Sequence, residues 1–438
     1  MIQGADGALT ASQSRHLLSR VAGKEARDPL LERHLRVEQA VAGTPLMAGN
    51  AVKLLRDGDG TFAEIFDAIK AARHHVNLEY YTLEDVVYGG RHLSDLLIAK
   101  RREGVVVNVI YDAYGSSKTP DEFFARLKGA GVNLLAFHPV NPVEAVADQY
   151  SPNDRDHRKI MIVDGRVAVV GGVNLATYYQ SKTPGSEASK EQATIQESTQ
   201  NDAANDDQSE TWHDLSIRIE GPVVEQLQGL FLGHWRSEGG KALDQTSFFP
   251  TLSSTGDEVM RIIGSSPEQD KSRYYVTLVS AIRSAQHSIW LTTAYFVPTF
   301  EEKHELMYAA ERGVDVRLML PAVSDASQAI SVAHSHYADL LESGVRIFEL
   351  NDVILHSKTI TIDGVWSAVG SSNFDHRSVV FNDEVDAIVL GRKTAKGLQA
   401  IFEQDQATAE EIKLEQWRQR PLTDRLNDFF QRTWQYLL

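Results

Sequence analysis

His157-Arg158-Lys159 and His356-Ser357-Lys358 are the only two H-x-K triplets in the chain, and each opens the same longer skeleton, H-x-K-x4-D-x6-G-x2-N. The first copy runs through Asp164 and Gly171 to Asn174, the second through Asp363 and Gly370 to Asn373. With five fixed identities at roughly one in twenty each, a chance match in a chain this long has odds on the order of one in ten thousand, so two matches at one spacing mark a duplicated site. An imidazole beside an ammonium, with an Asn amide arriving after a Gly where the backbone can come close, makes a site for a phosphoryl oxygen. One such site binds an anion; two brought face to face can do chemistry on it.

The elements that must hold these residues can be read from their neighbours. Residues two apart on a strand share a face, so His157 and Lys159 point one way, as do His356 and Lys358. The runs Ile160 to Val163 and Ile360 to Ile362 are apolar and β-branched, which predicts strand. Asp164-Gly165 and Asp363-Gly364 predict tight hairpin turns that fold Val167 to Val170 and Val365 to Val369 back alongside, so the motif aspartates have a structural role available. The repeat extends further. The stretch from Ala68 to Leu78 aligns with that from Ala281 to Leu291, and Gly104, Gly131, Gly313 and Gly344 each fit a helix C-cap before an apolar strand. This is the alternation of a β-α-β layered domain, made twice.

Composition narrows the function classes. The chain has 438 residues, 42% of them apolar, no cysteine and a formal charge of −16. Disulfides, thiolate metal sites and cysteine nucleophiles are excluded. Strong acidity disfavours a nucleic-acid partner, which calls for a basic surface. No run approaches the roughly 18 to 20 apolar residues that span a bilayer, and the first residues lack the basic start and apolar stretch of a secretory signal. The expected location is the cytoplasmic side of the cell membrane, peripherally bound.

The domain plan expected is an N-terminal helical extension over 1–50, a first domain over 51–240, a second over 241–410 and a C-terminal amphipathic helix over 411–438. The extension is mildly basic and amphipathic, as is a helix that packs on its domain or lies on an anionic membrane. The segment 180–211 carries Ile195 as its only large apolar residue and reads as a disordered insertion, since the second half has only Phe374 to Asn382 there. The repeat resumes with Trp212-His213-Asp214-Leu215 against Asn382-Asp383-Glu384-Val385, which sets Asp214 opposite Glu384. His74, His75, His334 and His336 show no metal-ligand spacing.

The duplicated motif resembles the phospholipase D superfamily, and the layout from Ala51 to about Gln406 is similar to that of the bacterial cardiolipin synthases within it. The resemblance implies an α/β fold of two similar α-β-α layered domains packed around one shared active site. It implies a catalytic set of His157, Lys159, Asp164, His356, Lys358 and Asp363, with Asn174 and Asn373 binding phosphate and the carboxylates Asp214 and Glu384 behind the histidines. It implies a phosphohistidine intermediate, with His157 as nucleophile and His356 as general acid and then base by the usual polarity of the family. The strand ends Glu79 to Tyr81 and Thr293 to Pro298, preceding each motif, would border the substrate cleft, with plain core packing the alternative for each of their aromatics taken singly. The expected substrate is a phospholipid, phosphatidylglycerol as both donor and acceptor, with no cofactor and no metal. The alternatives are a hydrolytic phospholipase D or another phosphatidyltransferase, a phosphodiesterase nuclease, and a non-catalytic lipid-binding scaffold.

Overall fold

The computed structural model describes residues 2–23, 29–139, 153–180, 211–267, 272–421 and 423. Two half-sheets follow one plan. The first runs, edge inward, Asn133–Phe137, Val106–Asp112, His75–Tyr80, Lys159–Val163, Val167–Gly171, Leu215–Glu220 and Leu46–Arg56. The second runs Arg346–Leu355, Asp315–Val323, Ser288–Thr292, Thr359–Ile362, Trp366–Gly370, Asn382–Leu390 and Glu258–Ser265. In each, three parallel strands come from helix-linked crossovers and the next pairs are antiparallel. The strand Leu46–Arg56 joins the halves, pairing with Leu215–Glu220 on one side and with Glu258–Ser265 on the other.

The motif hairpins form where the sequence places them. Asp164 and Gly165 have φ of 53° and 61°, Asp363 and Gly364 of 53° and 63°. Positive φ at both central residues is the turn whose twist matches two antiparallel strands, and Asp-Gly is a favoured pair for it. The strands between the halves are apolar on the inward face. Ile160, Ile162, Val170, Ile217 and Ile219 of the first half share one core with Met260, Ile262, Val369, Ala387 and Val389 of the second. Each such side chain contributes about 1.5–3 kcal/mol on leaving water, so this core holds the halves in fixed register.

Three boundaries differ from expectation. The N-terminal segment is not only helical, and the repeat starts at Leu46, before residue 51. Short strands Ile2–Gly4 and Gly7–Ala8 pair with each other, and Ile2 sits opposite Leu46. The helices Ala11–Ala22 and Pro29–Val41 pack on the second half: Leu17, Leu18 and Leu35 lie against its core, and the buried Glu38 binds Arg261 Nε at 2.8 Å and Trp366 Nε1 at 3.0 Å. Their apolar stripe is therefore satisfied within the protein. At the other end the expected helix from 411 begins instead as a strand, Glu410–Ile412, followed by the short helix Leu414–Arg418. The tail stripe from Leu422 to Leu437 and the insertion 181–210 lie outside the described residues; Thr211, counted with the insertion, already starts a strand.

Candidate active site

Two short parallel pairings carry chain from one half into the other and set the site. Arg155–Asp156 pairs with the start of Asn382–Leu390, and Thr211–His213 pairs with the end of Arg346–Leu355. As a result His157 N donates to Asp383 O at 2.9 Å, and His356 N donates to His213 O at 2.8 Å. Each histidine is thereby laid beside the residue that follows that carbonyl in the opposite half. His157 Nδ1 lies 3.1 Å from both carboxylate oxygens of Glu384, and His356 Nδ1 lies 2.7 Å from Asp214 Oδ2. The carboxylates cross over. An Nδ1–H held by a carboxylate leaves the lone pair on Nε2, the tautomer required for attack or proton transfer.

The two histidines and Asn174 and Asn373 all line one cleft of about 260 Å³, with Tyr81 and Tyr295 in its walls. Tyr81 packs its ring 5.3 Å from His157, and Trp212 and Tyr295 pack 5.4 and 6.3 Å from His356. Lys159 Nζ donates to His157 O at 2.7 Å, and Lys358 Nζ makes the same bond to His356 O. Asn174 Oδ1 accepts from Thr82 N at 3.2 Å, which turns its amide group, whereas Asn373 Oδ1 has no partner among the described residues.

Burial sets the charge states. It pushes His157 down to about 4, opposed by Glu384, so this ring is neutral at neutral pH. Burial also lowers His356, helped by the charge on Lys358 and opposed by Asp214. Burial brings Lys159 down to about 7 and Lys358 to about 8. For Glu384 burial acts upward, but His157, Lys159 and the Ser371 hydroxyl outweigh it and hold the carboxyl at about 2. Asp214 is lowered in the same way, against burial, by His356, Lys358 and Tyr179. Both carboxylates are therefore anionic and both histidines can stay neutral until a phosphate enters.

Asp164 and Asp363 leave the catalytic set. Asp164 accepts from the backbone N–H of Arg73, His74 and His75 at 2.7–2.9 Å, and Asp363 from Gln286, His287 and Ser288 at the same distances. Each sits in the turn at the far end of its hairpin from the histidine, tying the turn to the start of the antiparallel neighbour of the motif strand.

Sequence reasoning missed the supports. Tyr179 OH donates to Asp214 Oδ2 at 2.7 Å and lies 2.9 Å from His356 Nδ1. Ser371 Oγ donates to Glu384 Oε2, and Asn382 Nδ2 to Oε1 at 3.2 Å. Arg158, the variable residue of the first H-x-K, is 3% exposed and donates to Glu79 Oε1, Ser265 O, Asp383 Oδ1 and Glu384 O at 2.7–3.2 Å. A non-identical residue inside a repeated motif was the available signal. Glu79, Asp156 and His234 form the one group of metal-ligand types at short range among the described residues. His234 Nδ1 lies 2.8 Å from Glu79 Oε1, and burial, which lowers His234, is outweighed by Glu79 so that the ring rises to about 9. With Arg158 on the same carboxylate, side-chain cations supply the neutralising charge there.

The model of a family described as cardiolipin synthase, phospholipase D-like domain matches residues 65–200 and 278–406, one span in each half around one histidine. The chain belongs to this family. Cardiolipin synthase of Halalkalibacterium halodurans is 32% identical over 387 residues, 88% of this chain and 72% of its own length. Cardiolipin synthase 1 of Bacillus cereus is 30% identical over 415 residues, 92% and 76%. The crystal structure of phosphatidylserine synthase from Haemophilus influenzae superposes with a TM-score of 0.63 at 12% identity, covering 93% of this chain and all of that one. That likeness extends the shared fold across both halves of this chain.

Proposed function

We propose that this member of the cardiolipin synthase family transfers a phosphatidyl group from one phosphatidylglycerol to another, releasing glycerol. The single observation that carries the reading is the crossed pair: two neutral histidines on one cleft, each backed by a carboxylate from the opposite half. In the first step, once the anionic phosphodiester has entered and His356 has taken a proton on Nε2, His157 Nε2 attacks phosphorus, the P–N bond forms, the P–O bond to glycerol breaks, and the His356 imidazolium gives the departing oxygen that proton. In the second step the acceptor's primary hydroxyl attacks, its proton passes to His356, and the P–N bond breaks. Lys159, Lys358, Asn174 and Asn373 hold the phosphoryl oxygens and offset the charge that grows on them. Two lysines and two amides supply that role without a cofactor.

Water competes for the phosphohistidine at about 55 molar, but well-oriented groups reach effective molarities of roughly 10⁵ molar or more, so a bound second lipid outruns it. Peripheral contact with a membrane fits two features. Among the described residues no helix is long and apolar enough to cross a bilayer. Phe300, 74% exposed, and Tyr308, 46% exposed, lie on one face of the helix Phe300–Glu311, which starts three residues beyond Val297 in the cleft wall. The test is the product ratio from labelled phosphatidylglycerol in vesicles. Cardiolipin in excess over phosphatidic acid is expected. Mostly phosphatidic acid makes the protein a hydrolase, and cleavage of single-stranded DNA without lipid turnover moves it to nucleases.

A further inference from the structure

We propose that Arg155 and Arg377 form a second anion subsite at the His157 end of the cleft, which receives the phosphodiester of the accepting phospholipid. The inference rests on the transfer reading above. Lys159 and Lys358 are committed to the phosphoryl group under attack, yet the cleft wall holds these two further cations.

Arg155 stands two residues before His157 in extended chain, so both share a face about 6.6 Å apart. That spacing suits two phosphates joined through a three-carbon glycerol bridge. Arg155 is steadied by Asp112 at 3.6 Å and by the Tyr114 ring at 5.9 Å. Arg377 comes from the opposite half, where its Nη2 donates to Asn153 O at 3.1 Å and its guanidinium lies 5.8 Å from the Phe381 ring. Both arginines line the cleft together with Tyr81, whose ring packs on His157. The other end of the cleft carries the opposite sign. Asp325 accepts from Tyr295 OH at 2.8 Å and supplies the negative charge there, since burial raises the neighbouring Asp375 carboxyl to about 7. An acceptor with its own phosphate is repelled from that end and held at the arginines, with its free primary hydroxyl left to reach the phosphohistidine beside His356. Water and free glycerol carry no second phosphate and gain nothing from the subsite.

The test offers one donor a choice of acceptors. With labelled phosphatidylglycerol in vesicles and free glycerol in the buffer, Arg377→Gln should lower the ratio of cardiolipin to label exchanged onto free glycerol on the order of tenfold, the loss of one charge-assisted bond to phosphate. Arg377→Lys should recover part of it. An equal fall in both products, or no change in their ratio, overturns the subsite. A second arm does not depend on lipid transfer: with a chromogenic phosphodiester as donor, glycerol 3-phosphate should exceed glycerol as acceptor in the wild type, and Arg377→Gln should erase that preference. A wild type that makes no cardiolipin but keeps the preference refutes the transfer reading and leaves the subsite standing. A wild type without the preference refutes the subsite.

Discussion

The half-site on His157 and the half-site on His356 share every strand and every motif residue, yet they are supported differently. Behind His157 stands Glu384, fixed by Ser371 and Asn382; behind His356 stands the shorter Asp214, fixed by Tyr179. Ser371 and Gly172 occupy the same place after the repeated glycine. A Cβ at Gly172 would lie 2.1 Å from Asp214 Oδ1, so the first copy has no room for the serine that serves the second, and a tyrosine from a neighbouring turn does its work. Between histidine and lysine, Arg158 bridges both halves where Ser357 is simply buried. A duplicated site kept its motif geometry and let the supports diverge, and the unequal tasks proposed for the two like imidazoles rest on that divergence.

Replacing the histidines tests that inequality most severely. His157→Ala should abolish phosphoenzyme with every substrate. His356→Ala should lose roughly 10²–10⁴-fold with a lipid donor, the range of general acid–base catalysis, yet still be labelled by a donor whose leaving group needs no proton. Label on position 356 in the wild type would exchange the two roles.

The crossing of carboxylates makes the next contrast. Glu384→Gln and Asp214→Asn should each cost about 10²-fold or more in kcat, because an amide holds the wrong tautomer. Ring titration by NMR separates the two: Glu384→Gln should disturb His157 first and Asp214→Asn should disturb His356. Disturbance of the histidine in the same half would break the crossed arrangement.

Arg158 and Ser357 differ in what they hold. Arg158→Met leaves the buried Asp383 without its cation and Glu79 with His234 alone, and should cost about 3–5 kcal/mol in denaturant unfolding, whereas Ser357→Ala should stay within about 1 kcal/mol. Equal small losses would mean the halves are held by apolar packing alone.

The lysines set the pH response. Their charged form is the useful one, as is the protonated form of His356. So kcat/KM, which reports the free enzyme, should fall with rising pH first as His356, lowered by burial, loses its proton, then from about 7 as Lys159 does and further past about 8 as Lys358 does. The acid limb should lie near 4, where His157 gains a proton and ceases to be a nucleophile. The same lowering bears on stability. Between pH 6.5 and about 4 the unfolded chain binds the proton that the folded ring refuses, so stability should drop as pH falls through that window. A profile flat to pH 9 would show that both lysines stay charged. The smallest effect expected is at Ser371→Ala, about 1 kcal/mol in transition-state stabilisation through Glu384, with His356 titration unchanged.

Local chemistry made much of the protein legible before any coordinates. Strand alternation, two Asp-Gly turns and a five-residue skeleton used twice were enough for the hairpins, the two-half plan and the family, since each depends on neighbours within a few residues. The family resemblance put the motif aspartates in the catalytic set, while the local turn reading had already offered them a structural role; their backbone partners lie 75–91 positions away in sequence. Only the tertiary structure decided which carboxylate serves which histidine, because aligning the repeats sets Asp214 opposite Glu384 and is silent on whether partners lie within a half or across. The answer came from Arg155–Asp156 and Thr211–His213, two- and three-residue strands too short to leave a periodic signal. Tyr179, Arg158 and the cationic pair in the cleft were hidden for a related reason: their partners lie far away in sequence, some in the same half and some in the other, and only folding brings them close.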